Sequence, residues 1–371
     1  MKIAAIASLA FAAFASAAVV PKEHHHRFLQ ERSSLEQELD AWKASPAGQF
    51  AKENGLYEEP ENSLFDEEAA TAVREDQLYR LFLSKLSIEK AQEANPKAVF
   101  SLASPFSLMT DDEFAAYVGR SSGRNSNFLR GLGEVEEVMH DDVVAEDEEA
   151  HGRQLQTSVD WTQTSKCVPP VKNQGKCGSC WAFSGIASME SALCLRKGAM
   201  TLLSDQEMVS CNEASSGCDG GWPNTVHMYA RSNNGICSQE SYPYISGTTK
   251  QSEKCNLSKC RRVQFRVGAI NKVSARESSF LSAIRQQPIS VVLAAGNPSW
   301  KQYKGGIVSY CNTTKLDHAV LAVGYDEKSY KIKNSWGASW GMDGYIQLER
   351  QGEYRSACSM MNSQAVYPTV L

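Results

Sequence analysis

Two cysteines three positions apart hold the first chemistry in this chain: Cys177-Gly178-Ser179-Cys180, followed directly by Trp181-Ala182-Phe183. Downstream of Ser179, the apolar residues Trp181, Phe183, Ile186, Met189 and Leu193 recur at spacings of two to four. That pattern predicts an amphipathic helix running to about Lys197, with Gly198 as its stop. Cys180 then stands in the first turn, where unpaired N–H groups and the helix dipole favour an anion and lower a thiol's pKa. A nucleophilic cysteine needs this, because the thiolate attacks where the thiol does so poorly. A C-x-x-C pair has other readings: a redox dithiol, half a zinc site, or two structural cysteines. A dithiol of the thioredoxin kind follows a strand, whereas Val168-Pro169-Pro170-Val171-Lys172-Asn173-Gln174-Gly175 reads as a loop. Zinc would want a second such pair or paired histidines, and the second half of the chain offers only His227 and His318. The expectation is therefore a nucleophile, with no metal and no cofactor.

Eleven cysteines all lie between Cys167 and Cys358, an odd number that leaves at least one sulfur unpaired within the chain. The start of the chain explains why disulfides are expected. Lys2 precedes an Ala-rich run ending at Ala15-Ser16-Ala17, the pattern of a cleaved signal peptide over residues 1–17. No later segment approaches the ~20 apolar residues of a spanning helix. A secreted chain meets an oxidising compartment, and Asn256-Leu257-Ser258 and Asn312-Thr313-Thr314 are glycosylation acceptors suited to it. The net charge of -5 argues against nucleic acid as a partner. With 371 residues, 42% hydrophobic and 22% charged, the chain has material for two or three folded units.

Charge divides those units. Residues 19–154 carry 28 acidic and 14 basic side chains, whereas residues 155–371 carry 15 and 23. The front part reads as helical, with Leu35, Leu39 and Trp42, then Leu78, Leu81, Phe82 and Leu86, at helical spacing. It ends in a Ser/Gly/Asn stretch from Gly119 to Gly133 and an acidic run from Glu134 to Glu149, together a solvated linker open to proteolysis. Two explanations of the split stand side by side: two independently soluble domains, or an acidic half that docks on the basic half and leaves when its carboxylates are protonated. The His24-His25-His26 run reads as solvated surface rather than a metal site.

The run Gln174-Gly175-Lys176-Cys177-Gly178-Ser179-Cys180-Trp181-Ala182-Phe183 resembles the active-site segment of papain-like cysteine peptidases of the cathepsin-L-like group. That family carries C-G-[SA]-C-[WY], with His and Asn roughly 130–150 residues on. Here His318, within Leu316-Asp317-His318-Ala319-Val320, lies 138 residues after Cys180, and Asn334, within Lys333-Asn334-Ser335-Trp336-Gly337, lies 154 after it. Ser158-Val159-Asp160-Trp161, Gly217-Cys218-Asp219-Gly220-Gly221, Ser241-Tyr242-Pro243-Tyr244 and Gly341-Met342-Asp343-Gly344-Tyr345 match as well. The resemblance covers residues 155–371.

It implies an α+β fold of two domains: a helical left domain holding Cys180 and an antiparallel, barrel-like right domain supplying His318 and Asn334. Local patterns agree, with helices over 181–197 and 203–211 and strands at Ile289–Leu293, Ala319–Val323 and Tyr330–Lys333. Carried over by resemblance, Cys180 is the nucleophile and His318 its base and acid. Asn334 orients that histidine, Trp336 shields the bond between them, and Gln174 donates to the oxyanion. The main specificity pocket falls to Trp222, Pro223, Val292, Leu316, Ala319 and Ser363, beside Gly220 and Gly221. This lining is apolar and implies a bulky apolar or aromatic residue just upstream of the scissile one. His227 belongs to no such motif and reads as structural. The implied partners are peptide substrates, cystatin-type inhibitors and the chain's own propeptide, the enzyme acting as a monomer, either secreted or in a lysosome or vacuole.

The front half, 18–154, resembles the family's inhibitory, helical prosegment more distantly, with its linker over about 119–154. Tyr79-Arg80 and Asn95 fit its long helix, but Ser84, Ser87 and Ala91 stand where Phe, Asn and Ile are usual. Phe106 and Asp112-Glu113-Phe114 fit the following segment, where Ser104 and Leu108 replace Asn and Asp. Cleavage is expected near His151–Gln156. With Cys180 assigned to catalysis, ten cysteines remain. Resemblance pairs Cys177 with Cys218, Cys311 with Cys358, and Cys211 with either Cys255 or Cys260. Among the rest, with Cys167, the expected pair is Cys194 with Cys237.

Overall fold

The computed structural model describes residues 20–59, 67–119, 136–137, 157–362 and 365–371. The signal peptide, the cleavage region His151–Gln156, most of the run Glu134–Glu149 and Ser363 lie outside the described residues.

The N-terminal segment comprises α1 (His25–Ala44), α2 (Pro46–Glu53), α3 (Glu67–Ala94), β1 (Ala98–Phe100) and α4 (Asp111–Gly119). Ser45 starts α2 by accepting the Gly48 N–H at 3.2 Å, with Pro46 at the first helical position, where its missing N–H costs nothing. Leu35, Leu39 and Trp42 of α1 and Leu78, Leu81, Phe82 and Leu86 of α3 are buried, as their spacing predicts. The charged faces pair within the segment: Arg27 with Glu89, Arg32 with Glu75, Arg74 with Asp40, Lys85 with Glu38.

Two short strands follow, β2 (Glu136–Glu137) and β3 (Val159–Asp160), and then the left-hand helices α5 (Cys180–Lys197), α6 (Asp205–Cys211) and α7 (Pro223–Ser232). Ser204 caps α6 by accepting the Glu207 N–H at 2.9 Å. The expected amphipathic helix is in place but is buried from Cys180 through Cys194 on every face. Its polar residues turn inward to partners: Ser184 Oγ donates to Val320 O at 2.7 Å, and Glu190 pairs with Lys172 at 2.9 Å. Lys172 also reaches Asp205 at 2.8 Å. Burial lifts both carboxyls above their usual range, while their attraction, against the cost of burial, keeps Lys172 charged.

The rest is mainly sheet: β4 (Gly235–Cys237), β5 (Arg262–Gln264), β6 (Val267–Val273), helix α8 (Glu277–Gln286), β7 (Ile289–Leu293), β8 (Tyr303–Val308), β9 (His318–Tyr325), β10 (Ser329–Lys333), β11 (Tyr345–Glu349) and β12 (Ala365–Val370). Among the described residues one ten-stranded sheet runs β1-β8-β11-β10-β9-β7-β12-β6-β2, with β3 beside β9. Its pairings are antiparallel except β8–β11 and β2–β6. Both ends of this sheet therefore come from the N-terminal 154 residues. The approach of β1 depends on Gly306 (φ +71°), where a Cβ would stand 2.3 Å from the Lys97 carbonyl oxygen.

One core lies within the left side, built on Trp181, Ile186, Met189, Leu193, Leu203, Met208 and Val226. The other joins the sheet to the N-terminal segment, uniting Phe82, Phe106 and Phe114 with Trp336, Trp340, Tyr303, Ile332 and Leu348. The ion pairs between described residues that cross this boundary are Lys301–Asp111 and Lys97–Glu349, and in the second the N-terminal segment supplies the cation. Among the described residues the contact between the halves is largely apolar and hydrogen-bonded.

Five disulfides take ten of the cysteines and leave Cys180 outside any disulfide. Cys177 bonds Cys218, Cys311 bonds Cys358, and Cys211 bonds Cys255 rather than Cys260. The expected Cys194–Cys237 pair is corrected. Cys194, near the end of α5, bonds Cys167, and Cys237 bonds Cys260. The reason is the β4–β5 ladder, in which Cys237 faces Arg262 and so lies 5.3 Å, Cα to Cα, from Cys260.

Candidate active site

Cys180 is the first residue of α5, and Ser179 at its N-cap makes no side-chain capping bond, so the positive helix end falls on the thiol. The Ala319 N–H donates to Cys180 Sγ at 3.2 Å, setting the sulfur against the start of β9. His318 is the residue before Ala319 and opens that strand. Helix and strand thus come from opposite sides of the molecule and meet at one sulfur.

His318 Nε2 lies 2.8 Å from Asn334 Oδ1, which also accepts the Ser335 N–H at 2.8 Å. An oxygen that only accepts places the imidazole proton on Nε2 and leaves the Nδ1 lone pair free. Nδ1 is buried and has no hydrogen-bond partner among the described residues. Trp336 stacks on the ring at 4.6 Å and 25°, and is itself held edge-on by Trp300 at 5.9 Å and Trp340 at 5.1 Å. Burial pulls the imidazole pKa down to about 4, with the Asn334 bond opposing. Buried in this way, the ring is neutral at physiological pH.

Gln174 is buried, with Oε1 accepting from Ser335 Oγ at 2.8 Å and Nε2 donating to Cys177 O at 3.0 Å. Its second amide hydrogen remains available. Val292 and Ala319 pack with Cys180, and Trp222 and Leu316 close on the same cluster. Pro223 opens α7 just beyond Trp222, and Gly220-Gly221 form the turn before it. His227 lies apart, buried, with Nε2 2.8 Å from Ser188 Oγ. Burial drives its pKa down to about 3, so it stays neutral. Asn256 and Asn312 are both exposed.

A lid covers this arrangement. Phe106 and Phe114 press edge-on against Trp336 at 5.3 and 5.5 Å. The Tyr117 hydroxyl donates to Gly175 O at 2.8 Å. Ala115 backs onto Gly296, and Gly119 ends beside Lys315, next to Leu316. Helix α4 thus runs from the Trp336 side of Cys180 to the Leu316 side. Trp300, Trp340 and Lys301 beneath α4 were not singled out from sequence, and Ser335 and Tyr244, whose hydroxyl lies 2.8 Å from Ser179 Oγ, stood in matching motifs without a role. Trp340 could have been noticed four residues from Trp336, but Trp300 sits in a segment with no distinguishing pattern.

Comparison with known proteins agrees with the geometry. The family model described as "Papain family cysteine protease" matches residues 155–369. Chymopapain of Carica papaya is 36% identical over 277 residues, 68% of this chain and 77% of that protein. Cysteine protease 1 of Oryza sativa subsp. japonica is 35% identical over 304 residues, 78% of this chain but 58% of its own length. Among solved structures, the proform of the ragweed pollen cysteine protease Amb a 11 superposes with a TM-score of 0.70 at 25% identity, covering 93% of this chain and 88% of that one. The α+β fold, the thiol at a helix start and these matches give one conclusion: the chain belongs to the papain family of cysteine proteases.

Proposed function

We propose that the chain is the zymogen of an endopeptidase in which Cys180 attacks the scissile carbonyl and His318 carries the proton. The observation that supports this most is the convergence on Cys180 Sγ of a helix N-terminus, the Ala319 N–H and the strand bearing an Asn334-oriented imidazole. With the cleft open to water, His318 takes the thiol proton on Nδ1, and the imidazolium steadies the thiolate. The tetrahedral oxyanion receives the free Gln174 amide hydrogen and the Cys180 N–H. His318 then protonates the leaving amine, and water hydrolyses the acyl-enzyme by the reverse sequence. The apolar wall of Trp222, Val292, Leu316 and Ala319 favours an apolar or aromatic residue one position upstream of the scissile residue.

In the same reading residues 18–154 are the propeptide and inhibit by occupying the cleft with α4. Release follows cleavage near His151–Gln156, and the disulfide-stapled product works in a secreted, lysosomal or vacuolar setting where cystatin-type inhibitors are its partners. The test is maturation in mild acid followed by a thiol-directed epoxide. We expect one label per chain, on Cys180, and none on Cys180→Ala. A matured chain that takes no label and cleaves no peptide is a silent binding scaffold instead.

A further inference from the structure

Lys301 is the last residue of a short helix, Pro298–Lys301, and its side chain is only 1% exposed. Its ammonium donates to Asp111 Oδ1 at 3.0 Å and to Ser84 Oγ at 3.1 Å, and Ser87 Oγ donates to Asp111 Oδ2 at 2.9 Å. Every one of these partners belongs to the N-terminal segment. The cation itself belongs to the part that remains after maturation. A residue whose task was only to hold the segment could be apolar, like Trp336 beneath Phe106 and Phe114. A buried ammonium is costly unless paired, so an unpaired future for Lys301 implies exposure to water or a new carboxylate.

Its position says which side of the cleft it serves. Trp300, the preceding residue, contacts His318 at 6.0 Å and Trp336 at 5.9 Å. His318 gives its proton to the leaving amine, so the leaving portion of a substrate lies on this flank, while the acyl portion faces Val292, Ala319 and Leu316. Helix α4 spans both flanks, with Asp111 at the Lys301 end and Gly119 at the Leu316 end. Asp111 thus marks a carboxylate position along the path a substrate takes.

Resting on the proposed peptidase reading, we infer that Lys301 becomes a substrate-binding residue after maturation and selects peptides with Asp or Glu just after the scissile bond. The test uses matured wild-type enzyme and the variants Lys301→Gln, Lys301→Glu and Lys301→Arg. The substrates are quenched peptides alike on the acyl side and carrying Glu, Gln or Lys after the bond, plus a fluorogenic amide with nothing beyond it. Wild type is expected to favour Glu over Gln about threefold to fivefold in kcat/KM, carried by KM and reduced by added salt. Lys301→Arg keeps the preference, Lys301→Gln abolishes it, Lys301→Glu turns it towards Lys, and all four forms cleave the fluorogenic amide alike. A flat wild-type profile, or a preference that survives Lys301→Gln, overturns the inference while leaving the peptidase reading intact. An enzyme that cleaves none of the substrates and takes no epoxide label overturns both.

Discussion

At the scale of single residues the site works by restricting what each atom can do. Asn334 Oδ1 accepts twice, so the His318 tautomer has no alternative. Gln174 is held by Ser335 Oγ and Cys177 O, which uses one of its two amide hydrogens and leaves the other to bond elsewhere. In the proposed mechanism, replacing Gln174 with Ala removes one oxyanion donor while leaving Cys180 and His318 in place. We expect kcat to fall about 10²- to 10³-fold with KM little changed, as read by steady-state kinetics on a peptide amide. Unchanged turnover would show that the oxyanion is bound by other groups. Cys180, His318, Asn334 and Gln174 were legible in the sequence because motifs surround them. Trp300, Lys301 and the part played by Tyr244 were not, since each acts through a neighbour distant in the chain.

Among the elements, α3 and α4 decide whether the cleft is open. Ser84 and Ser87 stand where larger side chains were expected, and the room they leave is taken by the Lys301–Asp111 pair. At the end of α3, fully buried Asn95 accepts the Ser309 N–H at 2.9 Å and the Tyr310 N–H at 2.7 Å, fastening the helix to the loop after β8. Asn95→Ala leaves two backbone donors unsatisfied, at a cost of about 1–3 kcal/mol each. The variant zymogen should mature at least about tenfold faster at fixed pH, followed by gel electrophoresis. A rate equal to wild type would assign the holding to the apolar contacts alone. Element identity was readable from apolar spacing, but the burial of α5 on every face was not, because its inward serines and Glu190 look like a solvent face.

At the scale of the whole molecule, protonation and closure meet at His318. The ring is buried against Trp336 and Trp300 with its pKa pulled down to about 4, whereas a solvated imidazole titrates near 6.5. Where release of the N-terminal segment lets water reach the ring, the neutral form favours closure above about pH 6.5, and that contribution is lost as pH falls from there through about 4. Purified zymogen is therefore expected to mature faster at pH 4.5 than at pH 7.5. Equal rates would remove this role from His318. Among the described residues, the acidic side chains of the N-terminal segment pair largely within it, as Arg27–Glu89, Arg32–Glu75 and Arg74–Asp40 show.

The sequence by itself determined which cysteine opens a helix, the histidine and asparagine motifs that meet it and the family, because these rest on local spacing and on counting. An odd number of cysteines pointed to one outside any disulfide, and Cys180 is it. Tertiary structure alone decided which cysteines meet, as Cys237 with Cys260 shows: strand register, not order along the chain, brings sulfurs within reach. It also decided that the two halves share one core, and that Lys301 spends the zymogen's life against Asp111. Contacts between residues about two hundred positions apart leave no periodic trace in either segment, so only the folded chain displays them.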